Sequence, residues 1–292
     1  VGALYPSTRM ASLGAGYDLS VTTFSPDGRV FQVEYARKAA DNSATIVAMR
    51  SDTGIGMAVE KPVLSKLIVP TSHRRIFYVD EKVVVGISGL LADGRVLVDR
   101  LRQEAQSFRS TYGRACPVSV LAQRIARFMQ LYTLYASVRA FGATLMLAGV
   151  DYEGTTTTPR LYVVDPSGTA RACHGMAIGQ NQRDARGELE TLMGVDTASI
   201  SRQARAGDRP TVSNEYMSLD SQRLVFEAAR VVYSAHDDND KDITLELGII
   251  SEDGGASILR GQEAEEISER AQTAARTESD SEDSAENGMV VE

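Results

Sequence analysis

Short apolar runs come in pairs split by polar turns, and longer helical segments lie between the pairs. That order limits the chain to a few layered folds. Ala44–Arg50 and Gly54–Val59 are predicted strands joined across Ser51-Asp52-Thr53. Ile76–Val79 and Val83–Ser88 are a second pair, joined across Asp80-Glu81-Lys82. Strands joined by turns this short run antiparallel. Leu90–Tyr112 has helical period and stops at Gly113. Val118–Val138 is a second helix, with Pro117 at its start and Leu121, Ile125, Phe128, Met129, Tyr132 and Tyr135 at core spacing. Ala143–Val150 and Leu161–Asp165 are strands, Pro166-Ser167-Gly168 is a turn, and Ala170–Ala177 forms one or two short strands. Helices over Asn181–Met193 and Glu215–Ala235 follow, and Ile243–Ile250 is the last strand; the polar segment Gly194–Asn214 holds at most a partial helix. Two sheets face to face, with helix pairs outside, satisfy this order. The chain has no internal repeat.

A chain of 292 residues with 43% apolar content can bury a substantial core. It contains no run of about 18 apolar residues, so no membrane span is expected. The opening VGALYPSTRM lacks the charged lead and apolar block of a secretory signal. Two cysteines, Cys116 and Cys173, are too few for a disulfide framework and read as free thiols of a reducing compartment, cytoplasm or nucleus. The net charge of -8 is uneven: ten acidic and two basic residues lie from Glu263 to Glu292. Taking them from 39 acidic and 31 basic leaves 29 of each, a neutral body with no nucleic-acid footprint. The segment 263–292 begins as a charged helix. With almost no apolar residues after Ala275, it is expected to end as a disordered acidic tail. Thr277 and Ser279 each precede an acidic residue by three positions (Asp280, Glu282), a pattern suited to phosphorylation by an acid-directed kinase.

The stretch GAGYDLSVTTFSPDGRVFQVEYARKAA, Gly14 to Ala40, organises the N-terminus. An extended lead ends at Phe24. The turn Ser25-Pro26-Asp27-Gly28 follows, with Pro presetting φ and Gly tolerating positive φ. A helix then runs from about Val30 to Ala40. Phe31 and Tyr35 sit four apart, Val33, Ala36 and Ala40 share a face, and Arg29, Glu34, Arg37 and Lys38 take the other side.

GYDLSVTTFSPDGRVFQVEYARKA resembles the N-terminal signature of proteasome alpha subunits. VEKPVLSKL (Val59–Leu67), SGLLADGRVLVD (Ser88–Asp99), TLYASVRAFG (Thr133–Gly142) and LYVVDPSG (Leu161–Gly168) also resemble that family, so the likeness spans roughly Met10 to Gln262. GYDL in place of the commoner Tyr-Asp-Arg, the spacing of VEK and SKL, and the acidic tail resemble members at the seventh ring position. The resemblance implies an α+β fold, a four-layer α-β-β-α sandwich of the N-terminal-nucleophile hydrolase type. It also implies residues 1–9 as an upstream extension, 10–29 as a gate segment and 30–262 as the sandwich domain with its first helix. The implied partners are neighbouring alpha subunits of a seven-membered ring, the beta-ring subunits, and a regulatory particle or other activators. No nucleic acid, membrane or cofactor is implied. Matching positions carry over Tyr17, Asp18, Pro26 and Tyr35 as gate residues. They carry over Ser43, Arg75 and Leu90 as a pocket for activator C-termini, with Arg75 where the family has a lysine for the terminal carboxylate.

Catalytic beta subunits of this fold use an N-terminal threonine as nucleophile. The resemblance puts Ala44 at that position, behind more than forty residues. Glu60 matches the acidic position and Arg75 falls near the catalytic lysine, but neither replaces a nucleophile, so the chain reads as non-catalytic. An independent hydrolase of the same fold, or a free interaction protein acting through the acidic tail, are the alternatives. Other chemistry is weaker still. Gly154-Thr155, followed by Thr156, Thr157 and Thr158, reads as a polar loop rather than a self-processing junction. Gly86-Ile87-Ser88-Gly89 reads as a strand end rather than a nucleophile elbow. His73, His174 and His236 lack metal-ligand spacing. Asp238, Asp240 and Asp242 alternate like a calcium loop, but Ile243 and Ile249 stand where its Gly and Glu belong.

Overall fold

The computed structural model describes residues 16–62, 65, 67–69, 72–153, 156–195, 212–236 and 243–288, with side chains as far as 277. The expected extension 1–9, the threonine-rich junction at 154–155 and the aspartates of 238–242 lie outside the described residues.

Among the described residues, ten strands form two five-stranded sheets, antiparallel throughout. The first holds β1 (Ile46–Arg50), β2 (Ile55–Pro62), β8 (Gly175–Ile178), β9 (Ile243–Ile250) and β10 (Ala256–Leu259), in the order β10-β9-β2-β1-β8. The second holds β3 (Ile76–Asp80), β4 (Val83–Gly89), β5 (Ala143–Glu153), β6 (Thr156–Val164) and β7 (Ala170–Cys173), in that order. Alternation along each strand feeds two cores. In β1, Ile46 and Ala48 join Met57, Ile76, Val84 and Met146 between the sheets. Val47 and Met49 point the other way, under α4 (Gln182–Leu192) and α6 (Ser221–Ser234). In β4, Val85 and Ile87 face α2 (Leu91–Tyr112) and α3 (Val118–Leu131). The four layers are therefore helix, sheet, sheet, helix, as the strand and helix order predicts. α1 (Phe31–Asp41) buries only Phe31, Ala36 and Ala40, and it packs on β4 and β5.

Several expectations need correction. The second long helix ends at Leu131, not Val138. The Tyr132 ring packs against Phe141, tilted by 50° with centroids 4.4 Å apart, and the Thr133 hydroxyl donates back to Gln130 O at 2.7 Å, where the chain turns out of the helix. The segment read as one helix over 215–235 is two, α5 (Asn214–Met217) and α6, because Asp220 caps a fresh start through Arg223 N at 2.8 Å. Ile243–Ile250 is not the last strand, since β10 pairs with it. Thr156, Thr157 and Thr158 belong to β6 rather than a polar loop; their β-branched side chains suit a strand opposite Asp151–Glu153. The tail expected to be disordered is instead helical as far as Gly288 in α7 (Gln262–Gly288). Its first half is fixed on α6 by buried Ile267, Ala271 and Ala275, and a run of Glu, Ala, Arg and Gln favours continuation.

Two outcomes follow from this packing. A Cβ on Gly56 would stand 2.3 Å from Val225 N and 2.4 Å from Leu224 C, so Gly56 is where β2 and α6 touch backbone to backbone. Gly56→Ala should cost about 1–3 kcal/mol, read as a lower denaturation midpoint. Cys116 is buried, and desolvation pushes its thiol up to about 11. At pH 8 only about one thiol in a thousand would be ionised. Iodoacetamide should therefore label Cys116 only after denaturant is added; rapid labelling of the folded chain would contradict its placement.

Candidate functional site

The turn before α1 is built as the sequence implies. Gly28 N donates to Ser25 O at 2.9 Å, and Arg29 N donates to Ser25 Oγ at 3.0 Å. Gly28 has φ of +75°, where a side chain would be strained. Pro26 sits exposed at the second position. Arg29 Nε donates to Glu34 Oε1 at 2.8 Å, and its guanidinium lies 5.1 Å from the Phe31 ring. The bond with Arg29 holds the Glu34 carboxyl below the usual carboxylate range, and Arg29 is correspondingly raised. This pair fixes the turn to the first helical residues.

The lead segment is fastened to α1 at Asp18. The Tyr35 hydroxyl donates to Asp18 Oδ2 at 3.3 Å, and the Gln32 side-chain amide donates to Asp18 O. Gln32 and Tyr35 are three apart, so one helix face holds both the side chain and the backbone of Asp18. Desolvation, then the charge of Asp18, raises the Tyr35 hydroxyl above its ordinary value. Of the four predicted gate residues, Asp18 and Tyr35 meet, while Tyr17 and Pro26 stand exposed on the same lead.

Two of the three residues expected to form a pocket meet at one carbonyl. Ser43 Oγ and Arg75 Nη1 both donate to Gly89 O, each at 3.3 Å, and Leu90 follows directly, half-exposed. Gly89 has φ of +115°, and a Cβ there would meet Gly142 O at 2.3 Å, so the bend into α2 requires glycine. Arg75 is 8% exposed and turned inward, with Nη1 also 3.2 Å from Ile87 O. Desolvation lowers its pKa, against the nearby charges of Glu246 and Glu60. The Ser88 hydroxyl, fully buried, lies 3.0 Å from both Ala40 O and Ala44 O and shares its one proton between them. The end of α1, the start of β1 and the pocket are thus stitched into one patch of backbone.

Ala44 sits buried behind α1, with its carbonyl held by Ser88. Glu60 Oε2 accepts from Thr45 N at 3.0 Å, and its Oε1 lies 3.2 Å from His236 Nδ1. Glu246 accepts from Arg75 N at 2.7 Å and from Ile76 N at 3.3 Å, and burial raises its pKa despite these donors. Desolvation lowers His73 and His174, and His174 Nδ1 is 3.3 Å from Arg50 Nη2. Among the described residues, no three His, Cys, Asp or Glu side chains form a metal cluster, and no helix is long and apolar enough to cross a membrane. Thr277 is exposed on α7, its hydroxyl bonded to Thr273 O at 2.9 Å; Ser279 lies on the same helix, beyond the described side chains.

Sequence reasoning missed Gln32, Ser88 and Glu246. Gln32 and Ser88 leave no signal, since polar residues at such positions are ordinary. Glu246 does leave one: a lone carboxylate inside the apolar run ITLELGII must be hydrogen-bonded if the strand is buried.

Residues 40–203 match the family model for proteasome subunits, and residues 17–39 match the model for the N-terminal signature of A-type proteasome subunits. The second match ends within the last turn of α1 and contains the turn and the Asp18–Tyr35 contact. Among curated relatives, the chain is 44% identical over 245 residues to the proteasome alpha type-3 subunit of Acanthamoeba castellanii, covering 84% of this chain and 87% of the relative. It is 40% identical over 243 residues to the proteasome alpha type-3 subunit of Dictyostelium discoideum, covering 83% and 88%. It is also 40% identical over 239 residues to the probable proteasome alpha type-7 subunit of Saccharomyces cerevisiae, covering 82% and 75%. The two-sheet sandwich, the turn and helix that fasten the lead, and these matches together place the chain in the proteasome subunit family, among its alpha-type members.

Proposed function

We propose that the chain is a non-catalytic structural and gating subunit of the 20S proteasome alpha ring, at the seventh position, working in ubiquitin-dependent protein degradation in cytoplasm and nucleus. The observation that carries the gate is the attachment of Asp18 to Tyr35 and Gln32. It ties the lead segment to a helix seated on the body, and so determines where the chain before Gly16 starts. Rigid turn geometry at Pro26 and Gly28 sets the direction in which that lead leaves α1. Neighbouring alpha subunits flank it in the ring, beta subunits lie beneath, and regulators dock from outside.

Regulator docking falls to Ser43, Arg75 and Leu90. Leu90 offers exposed apolar surface beside Gly89, and the Arg75 guanidinium gives that pocket its positive charge. The absence of catalysis rests on Ala44. The position that would need a nucleophilic oxygen has a methyl group, and α1 precedes it. Glu60 there is engaged by the Thr45 amide rather than by a reacting group.

The gate is tested in purified 20S particles containing the variant chain. Tyr35→Phe keeps the ring and removes the donor to Asp18. Hydrolysis of a fluorogenic tetrapeptide by the particle should change by about two- to tenfold, the range for losing a single hydrogen bond. Unchanged flux in correctly assembled particles would refute the gate. Catalysis is tested with a peptide electrophile that acylates or alkylates threonine nucleophiles. It should add mass to other chains of the particle and none to this one; an adduct on this chain would refute the non-catalytic reading.

A further inference from the structure

α1 carries the gate fastening, yet only three of its side chains are buried, Phe31, Ala36 and Ala40. Those three form a narrow seam, about which a short helix can roll. Its next face, Val30, Val33, Glu34 and Arg37, follows the i, i+3, i+4, i+7 pattern and lines an open groove of about 560 Å³. The far wall of that groove is Thr133, Leu134 and Ser167. One ion pair spans it: Arg37 Nη2 reaches Asp165 Oδ2 at 3.2 Å.

Asp165 is a firm anchor for such a strut. It is 9% exposed and its two oxygens have separate partners. Oδ1 accepts from Ser167 N at 3.0 Å, from Thr169 N at 3.3 Å and from the Ser167 hydroxyl, which shapes the turn between β6 and β7. Oδ2 takes the guanidinium groups, Arg37 from α1 and Arg171 at 3.5 Å from β7. The turn is itself pressed onto α3. A Cβ on Gly168, whose φ is +81°, would stand 2.6 Å from Ala126 O and 2.8 Å from Gln130 Cβ. The anchor therefore belongs to the rigid body, and the arginine belongs to the gate helix.

We infer that the Arg37–Asp165 ion pair is the strut that fixes the roll of α1, and that Asp165 is a positioning residue for the gate. This rests on the gate reading above. Without the strut, α1 is free to roll about its buried seam. A roll displaces Gln32 and Tyr35 together, because both project from the same helix, and it carries Asp18 and the lead segment with them. Val21, Thr22 and Phe24 of the lead line the same groove, but among the described residues no hydrogen bond or ion pair joins Arg37 or Asp165 to the lead, so the strut acts on it through helix orientation.

The test uses whole 20S particles containing variant chains, with incorporation checked by mass and with hydrolysis of a fluorogenic tetrapeptide as the readout. Arg37→Ala and Asp165→Asn should each shift flux about two- to fivefold, in the same direction as Tyr35→Phe, as expected for a partly exposed ion pair. Asn retains an acceptor for the turn, so Asp165→Asn removes the strut without unmaking its anchor. Arg37→Lys, which keeps the charge, should restore most of the flux. Arg171→Ala, which removes the other arginine from the same oxygen, should leave it unchanged. Altered flux in Tyr35→Phe with normal flux in Arg37→Ala and Asp165→Asn would overturn the strut and leave the gate standing. An effect from Arg171→Ala equal to that of Arg37→Ala would also overturn it. Normal flux in Tyr35→Phe would refute the gate itself, a separate failure.

Discussion

The fold depends on strands that are buried on both faces. β1, β2 and β4 each lie between the other sheet and a helix layer, so nearly every position on them is removed from water. A strand in that setting cannot slip by one residue without exchanging the contents of two cores. Close backbone approaches enforce the same register. Gly56 meets the backbone of α6, and Gly89 meets the Gly142 carbonyl. Burial on this scale leaves few places for polar groups, and four of those inside, Ser88, Glu60, Arg75 and Glu246, are each bonded to backbone.

These buried polar groups cluster at one end of the sandwich. Arg75 and Ser43 share the Gly89 carbonyl, Ser88 ties α1 to β1, and Glu246 holds the amides before β3. On the proposed reading, Ala44 at this corner stands where a catalytic member of the fold would have its nucleophile. In the structure the corner supports a helix. α1 rests on this corner through Ala40 and on the far turn through Arg37, and it presents Tyr35 and Gln32 to the lead segment. What the described contacts do here is mechanical: hydrogen bonds and an ion pair orient a helix.

Much of this is legible in the sequence, for definite reasons. The strand pairs are bounded by short polar turns, and apolar runs such as TLMLAGV admit few other readings. The turn before α1 spells out its own geometry in Ser-Pro-Asp-Gly. The readings that fail do so where tertiary contact overrides local pattern. Period alone carries α3 through to Val138, but it ends earlier, where Tyr132 packs against Phe141. The threonines after Gly154-Thr155 look polar but pair as a strand opposite Asp151–Glu153. The acidic tail looks too polar to order, yet it extends a helix already seeded by Ile267 and Ala271. At the site, the family signature points to Asp18 and Tyr35, and the structure joins them. The Arg37–Asp165 contact could not be read locally, because its partners lie 128 residues apart.

The gate and the strut have meaning only if this chain lives in a ring with other members of its family. Native mass spectrometry on the tagged full-length chain, drawn from its own cells, measures that directly. The predicted result is a single large particle in which this chain sits with other alpha-type and beta-type chains. Recovery mainly as a monomer or a small homo-oligomer would contradict it.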